Sequence, residues 1–244
     1  MRIGFVITGH VREIANCAPT QKAHLFDLLA RHEQHFFFCT WNKTNVDDLY
    51  HRIPILGEIR SEIQDTNVRE HIYKHYPSVD AAAVYDEWWS DFVVADKVDI
   101  LDQYRDNWYR LGEPVGWEME RILMQYFLVN QAAHLVPDFA RMDVLFRIRF
   151  DTLFTAPFSQ VEALMLESVE KNILMIREDR LAFGPASLMK LAMQYYSKNV
   201  HWFTDYTRPF EFMYKTYLAA SGITFREIQP PMMFDRGNTS LSIA

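Results

Sequence analysis

Residues 143–154 read DVLFRIRFDTLF, a continuous apolar run that turns into an alternation of charged and apolar residues. A strand sends successive side chains to opposite faces, so Arg147, Arg149 and Asp151 share one face and Ile148 and Phe150 the other. A strand that is apolar on both sides and then polar on one is leaving a core. In an open α/β sheet, ligands sit at the carboxyl ends of strands, where such a change occurs. Two guanidinium groups and a carboxylate there suit a phosphate-bearing ligand, with or without a metal. The same triad equally suits a salt-bridge ladder at a sheet edge.

Upstream, RIGFVIT at 2–8 is a buried first strand that ends in the turn Thr8-Gly9-His10. Gly9 permits close approach of backbone to a ligand, and Arg12 could reach a phosphate or a base, although a solvated loop arginine fits as well. Pro19 suits the first turn of a helix striped by Leu25, Phe26, Leu28 and Leu29. HFFFCTW at 35–41 is a second buried strand, and strand–helix–strand implies a right-handed βαβ unit in a parallel sheet.

From 43 to 116, charges and aromatics mix, as expected of short helices and loops inserted into the core. Asp96, Asp99 and Asp102 fall at helical spacing there, which a solvated helix face explains better than a metal cluster. Residues 118–136 carry the strongest helical stripe: Met119, Ile122, Leu123, Tyr126, Phe127, Asn130 and Ala133, with Gln125 on its flank and Pro137 as its stop. A helix at 160–168 and a strand at 172–176 lead to four charges, Arg177-Glu178-Asp179-Arg180. Gly184 and Pro185 read as a helix start, with Leu188, Leu191, Ala192 and Tyr195 buried. Pro209 opens a further helix that Gly222 ends, 223–228 reads as a last strand, and 232 onward reads as a tail. No repeat or Gly/Ser linker divides 1–244, so one domain with a 43–116 insertion is expected.

Composition narrows the function classes. The formal net charge of −7 argues against generic nucleic-acid binding. Two cysteines, Cys17 and Cys39, are too few for a secreted disulfide scaffold, so buried thiols in a reducing compartment are expected. No apolar run reaches the roughly 18 residues of a membrane span, and the N-terminus is not a signal peptide, so a cytoplasmic protein is expected.

Four features in order resemble one family. They are Thr8-Gly9-His10-Val11-Arg12 as T/S-G-H-x-R, the aromatic strand ending at Thr40-Trp41, Arg147-Ile148-Arg149-Phe150-Asp151 as R-x-R-x-D after a long helix, and Asp179-Arg180-Leu181-Ala182-Phe183-Gly184 as D-x-x-A-F-G. Together they resemble the GT-A-fold glycosyltransferases of the bacterial and viral surface-polysaccharide kind, including WavE-like lipopolysaccharide-synthesis proteins. The resemblance implies an α/β, GT-A-like (nucleotide-diphospho-sugar transferase) three-layer sandwich with a central, mostly parallel sheet and a helical insertion. It implies an enzyme that moves a sugar from a nucleotide-sugar donor to a glycan or other hydroxyl acceptor in polysaccharide biosynthesis. Its partners would be that donor and acceptor, with no nucleic acid and no membrane span, a place at the periphery of a membrane assembly being compatible.

On this resemblance Thr8, Gly9, Arg12, Thr40, Trp41 and Gln125 would hold the nucleotide donor, and Arg147 and Arg149 its diphosphate. Asp151 would be catalytic and bind the ribose, the diphosphate or a divalent cation, Mn²⁺ or Mg²⁺. Asp179 would be the general base or a sugar-contacting carboxylate, an ion pair with Arg177 or Arg180 being its alternative. The family's D-x-D departs here, because Arg149 stands in place of the first Asp. Either one carboxylate suffices beside diphosphate oxygens, or Arg147 and Arg149 take over the metal's electrostatic role. The departure also fits a second reading, a catalytically inactive GT-A-like domain that binds a glycan or a partner protein. A nucleotidyltransferase is disfavoured, since Gly9 stands alone where such enzymes carry a Gly-rich loop with Lys or Arg.

Overall fold

The computed structural model describes residues 1–11, 14–42, 67–76, 78–85, 117–178, 180–198 and 210–234. The apolar run Arg2–Thr8 forms β1, and α1 (Ile14–Gln21) continues through a π turn, Lys22–Phe26, and a 3₁₀ turn, Asp27–Leu29, into β2 (Glu33–Trp41). Then come α2 (Val68–His75), β3 (Ala81–Tyr85), α3 (Trp117–Leu135), β4 (Val144–Arg149), β5 (Thr152–Phe154) and α4 (Val161–Lys171). The chain closes with β6 (Leu174–Arg177), β7 (Leu181–Pro185), α5 (Ala186–Met193), α6 (Tyr195–Lys198), α7 (Phe210–Ala220), β8 (Phe225–Glu227) and β9 (Met232–Phe234).

Seven strands make one sheet in the order β3-β2-β1-β4-β7-β6-β8. All neighbours are parallel except at β7, which runs antiparallel to both β4 and β6. The alternation within strands sorts the two faces. Val6, Phe37, Cys39, Trp41, Leu145 and Ala182 pack against α3, α5, α6 and α7. Ile3, Phe5, Ile7, Phe36, Phe38, Phe146 and Ile148 pack against α1, α2 and α4. The molecule is therefore a three-layer α/β/α sandwich with a central, mostly parallel sheet, the architecture that the resemblance implies. The second face explains the phenylalanine content: Phe5 packs against Phe26, Phe36 and Phe146, and Phe146 stacks on Phe183 at 4.5 Å. Such pairs add about 0.5–1.5 kcal/mol each beyond burial.

Helix ends follow their capping chemistry. At α7 the Gly222 N–H donates to the Ala219 carbonyl and the Ile223 N–H to that of Leu218, with Gly222 at φ 72°, a Schellman closure as Gly222 predicts. Asn172, φ 49°, closes α4 in the same way.

Several expectations are corrected. The 143–154 strand is two strands: β4 stops at Arg149, the chain turns at Phe150–Asp151, and β5 leaves for a separate pairing with β9. Met232 onward therefore begins with a strand. Gly184 and Pro185 end β7, where a Cβ at position 184 would lie 2.7 Å from Leu174 Cδ2 and 2.8 Å from the Ile173 carbonyl. The close approach of β6 selects the glycine. As α5 then starts at Ala186, its buried residues include Met189, Ala192 and Met193, while Leu191 is 40% exposed. Pro19 lies inside α1, beyond its first turn. Within the expected 43–116 insertion, α2 and β3 belong to the sandwich itself, β3 pairing in parallel with β2, and the rest of that stretch lies outside the described residues.

Candidate functional site

Parallel pairing brings the carboxyl ends of β1, β2, β3 and β4 to one edge of the sheet. In register, Thr8 lies between Cys39 and Arg149. β7 starts at Leu181, opposite Ile148, so the β6–β7 turn with Glu178 and Arg180 falls at the same edge.

The acid and its arginine meet across the turn. Arg149 Nε and Nη2 donate to the two oxygens of Asp151, both at 2.8 Å, and Nη1 donates to Gln125 Oε1 at 2.7 Å. The Arg149 side chain is 15% exposed and that of Asp151 6%. Arg147, one residue pair deeper on the same face, donates from Nε to Thr8 Oγ1 at 3.3 Å. It faces a cavity of about 10 Å³, lined also by Tyr126, Val129, Met189, Met193 and Tyr214. That is room for one water molecule at most.

Gly9 adopts φ 105°, a conformation that side-chain-bearing residues rarely take, and its carbonyl accepts from Thr40 Oγ1 at 2.6 Å. Thr8 and Thr40 are fully buried. Trp41 is 3% exposed, stacked on Phe127 at 5.7 Å and edge-on to Tyr85. Burial pushes the Tyr85 phenol up to about 12, and it donates to Gln131 Oε1 at 3.2 Å.

The structure thus gathers Thr8, Gly9, Thr40, Trp41, Gln125, Arg147, Arg149 and Asp151 at one edge, but in two tiers. Thr8, Thr40, Trp41 and Arg147 lie beneath the edge as its support, and Trp41 offers no face to a base. Arg149 and Gln125 lie at the partly exposed level. Arg12 and Asp179 lie outside the described residues. The flanks of Asp179 are described: Glu178, at φ 51°, pairs with Arg180 at 2.9 Å and Arg177 at 3.4 Å.

A resident divalent ion on Asp151 does not fit this donor set. Both Asp151 oxygens are engaged by Arg149, and among the described residues no three His, Cys, Asp or Glu side chains converge. Cys17 and Cys39 are both buried thiols that are not joined in a disulfide, as their number suggests. No helix among the described residues is long and apolar enough to cross a membrane.

Sequence reasoning missed Gln21, which holds the turn beneath Asp151. Nothing in its sequence surroundings marks it, because the carbonyls it serves belong to a turn far along the chain.

No protein-family model and no curated protein matches the chain. Among solved structures it is similar to a glucose-1-phosphate thymidylyltransferase from Bacillus anthracis crystallised with sucrose. The TM-score is 0.38 and the identity 9%, over 99% of this chain and 92% of that one. A likeness this distant says nothing about substrate.

Proposed function

We propose that the carboxyl edge of β1 and β4 is the donor site of a nucleotide-sugar-dependent glycosyltransferase. The observation that carries this is the Arg149–Asp151–Gln125 cluster at the end of the central strand β4, beside the left-handed Gly9 turn. In glycosyl transfer an acceptor hydroxyl attacks the anomeric carbon, the bond to the diphosphate oxygen breaks, and negative charge grows on the leaving group. A guanidinium fixed beforehand at that position stabilises the growing charge without reorganising. Arg149 is the group for this role, with Gln125 and Asp151 setting its plane. Asp179 is the residue we assign as base for the acceptor hydroxyl.

A thermal-shift panel of UDP, GDP, CMP and dTDP sugars tests the reading, because a ligand of the native state raises the melting temperature. At least one should do so in wild type and fail in Asp151→Ala, whereas Asp179→Ala should retain binding and lose turnover by about 10²–10⁴-fold. Mn²⁺ alone should produce no shift. Absence of a shift with every nucleotide sugar would refute the donor site.

The second reading, an inactive GT-A-like domain that binds a glycan or a partner, draws on one observation: Arg149 and Asp151 already satisfy each other. Glycan binding without any nucleotide response would favour it.

A further inference from the structure

Gln21 is the last residue of α1 and has no exposed surface. Its side-chain nitrogen donates toward three carbonyl oxygens of one turn: Arg149 at 3.1 Å, Phe150 at 3.3 Å and Thr152 at 2.9 Å. Three carbonyls can face only the NH₂ end of an amide, so the neighbours fix which way the side chain points. Its oxygen accepts from the Tyr76 hydroxyl at 2.8 Å. Tyr76 is 3% exposed, and burial holds its phenol well above the ordinary value, so it stays a donor. Next door, the Thr20 hydroxyl accepts from the Phe154 N–H at 3.1 Å.

This arrangement solves a definite problem. Where β4 ends and β5 departs, the carbonyls of Arg149, Phe150 and Thr152 converge inside the protein, and buried carbonyls need donors. The two hydrogens of one amide are shared among these three carbonyls, and the chain reverses around it. The reversal is what carries Asp151 back across the Arg149 guanidinium.

We propose that Gln21 is a positioning residue of the donor site, held by Tyr76, and that it sets the place of Asp151 and Arg149 through the 149–152 turn. This rests on the donor-site reading above. The sheet on either side is held by its own ladder, so loosening Gln21 should release the turn more than the fold. Small displacements of charged groups at a site are enough to cost binding and turnover heavily.

The test compares full-length wild type, Gln21→Leu, Tyr76→Phe and Leu218→Ala. Leu218 is fully buried in α7, its carbonyl accepts from the Ile223 N–H just before β8, and its truncation serves as a destabilised control. Calorimetric titration with UDP, GDP and dTDP reports binding. Hydrogen exchange of the Phe150 amide, which donates to the Thr8 carbonyl at 3.1 Å, reports the turn. Gln21→Leu should weaken nucleoside-diphosphate binding by about tenfold or more and speed exchange at 150–152. Tyr76→Phe should do the same to a smaller degree, and Leu218→Ala should lower the melting temperature with neither effect. Wild-type binding in Gln21→Leu, or an equal binding loss in Leu218→Ala, overturns the proposal. Should Gln21→Leu fail to fold, Tyr76→Phe decides, and unchanged binding there overturns it. If wild type binds none of the three diphosphates and none of the nucleotide sugars of the thermal-shift panel, the donor-site reading falls and the positioning role with it.

Discussion

The two ends of the central sheet carry similar polar residues in opposite settings. At the amino end Arg2 pairs with Glu33 at 3.2 Å, their side chains 51% and 59% exposed, and His35 lies between Glu33 and Asp80. At the carboxyl end the Arg149–Asp151 pair is 15% and 6% exposed. Backbone conformation differs too. The left-handed residues before β6 and β8, Asn172 and Gly222, are helix caps of suitable chemistry, whereas Glu178 at the carboxyl end adopts φ 51° with a side chain poorly suited to it. Desolvation and strain are concentrated where the ligand site is proposed, as expected when fixed charge is needed there.

The largest effect should come from breaking the buried pair. Arg149→Leu leaves the Asp151 carboxylate enclosed without its bidentate partner, at a cost of about 3–5 kcal/mol. Arg2→Leu, at the other end, should change stability by about 0–1 kcal/mol. Urea unfolding midpoints of the two variants measure the difference. The double variant Arg149→Leu, Asp151→Leu should recover much of the loss, since the two charges are removed together. Equal losses for Arg149→Leu and Arg2→Leu would mean that the two ends are energetically alike.

Gly9→Ala is the next effect. Among the described residues nothing lies within 4 Å of the added Cβ, so the expected penalty is conformational, about 1–2 kcal/mol for φ 105°. Thermal unfolding measures it, and a neutral result would show that the turn relaxes to negative φ.

Legibility in the sequence followed the same division. The continuous apolar runs of β1, β2, β4 and β6 and the long stripe of α3 were readable because burial on one or two faces leaves a periodic signature. β3 was not: Ala81-Ala82-Ala83 is neither β-branched nor aromatic, and pairing with β2 makes it a strand. β7 was hidden by Gly184-Pro185, whose glycine answers to the packing of Leu174 and not to a helix start. The turn at Phe150–Asp151 has no glycine, proline or asparagine, and Gln21 makes it from α1. Of the site, the charges on one face of β4 were visible as a pattern. Their division into Arg147 below and Arg149 above was not, because it depends on which side chains of α3, α5 and α7 close the cavity over Arg147.

The smallest effect distinguishes the ends by pH. His35 Nδ1 lies 3.0 Å from Asp80 Oδ1 and Nε2 lies 3.1 Å from Glu33 Oε1. The hydrogen bond with Asp80 raises the His35 pKa above its ordinary 6.5, burial opposes this, and Glu33 adds to the rise. The folded chain then binds the proton more tightly than the unfolded chain. The stabilisation is complete below pH 6.5 and fades as pH rises through the raised value. Arg149 keeps its charge throughout this range, because a guanidinium does not deprotonate in proteins. Melting temperatures between about pH 6 and about pH 8 should therefore fall for wild type and Arg149→Leu alike, and the difference between wild type and His35→Gln should shrink over the same interval. If that difference stays constant with pH, the His35 cluster contributes no proton-linked stability, and the amino end is merely solvated where the carboxyl end is built.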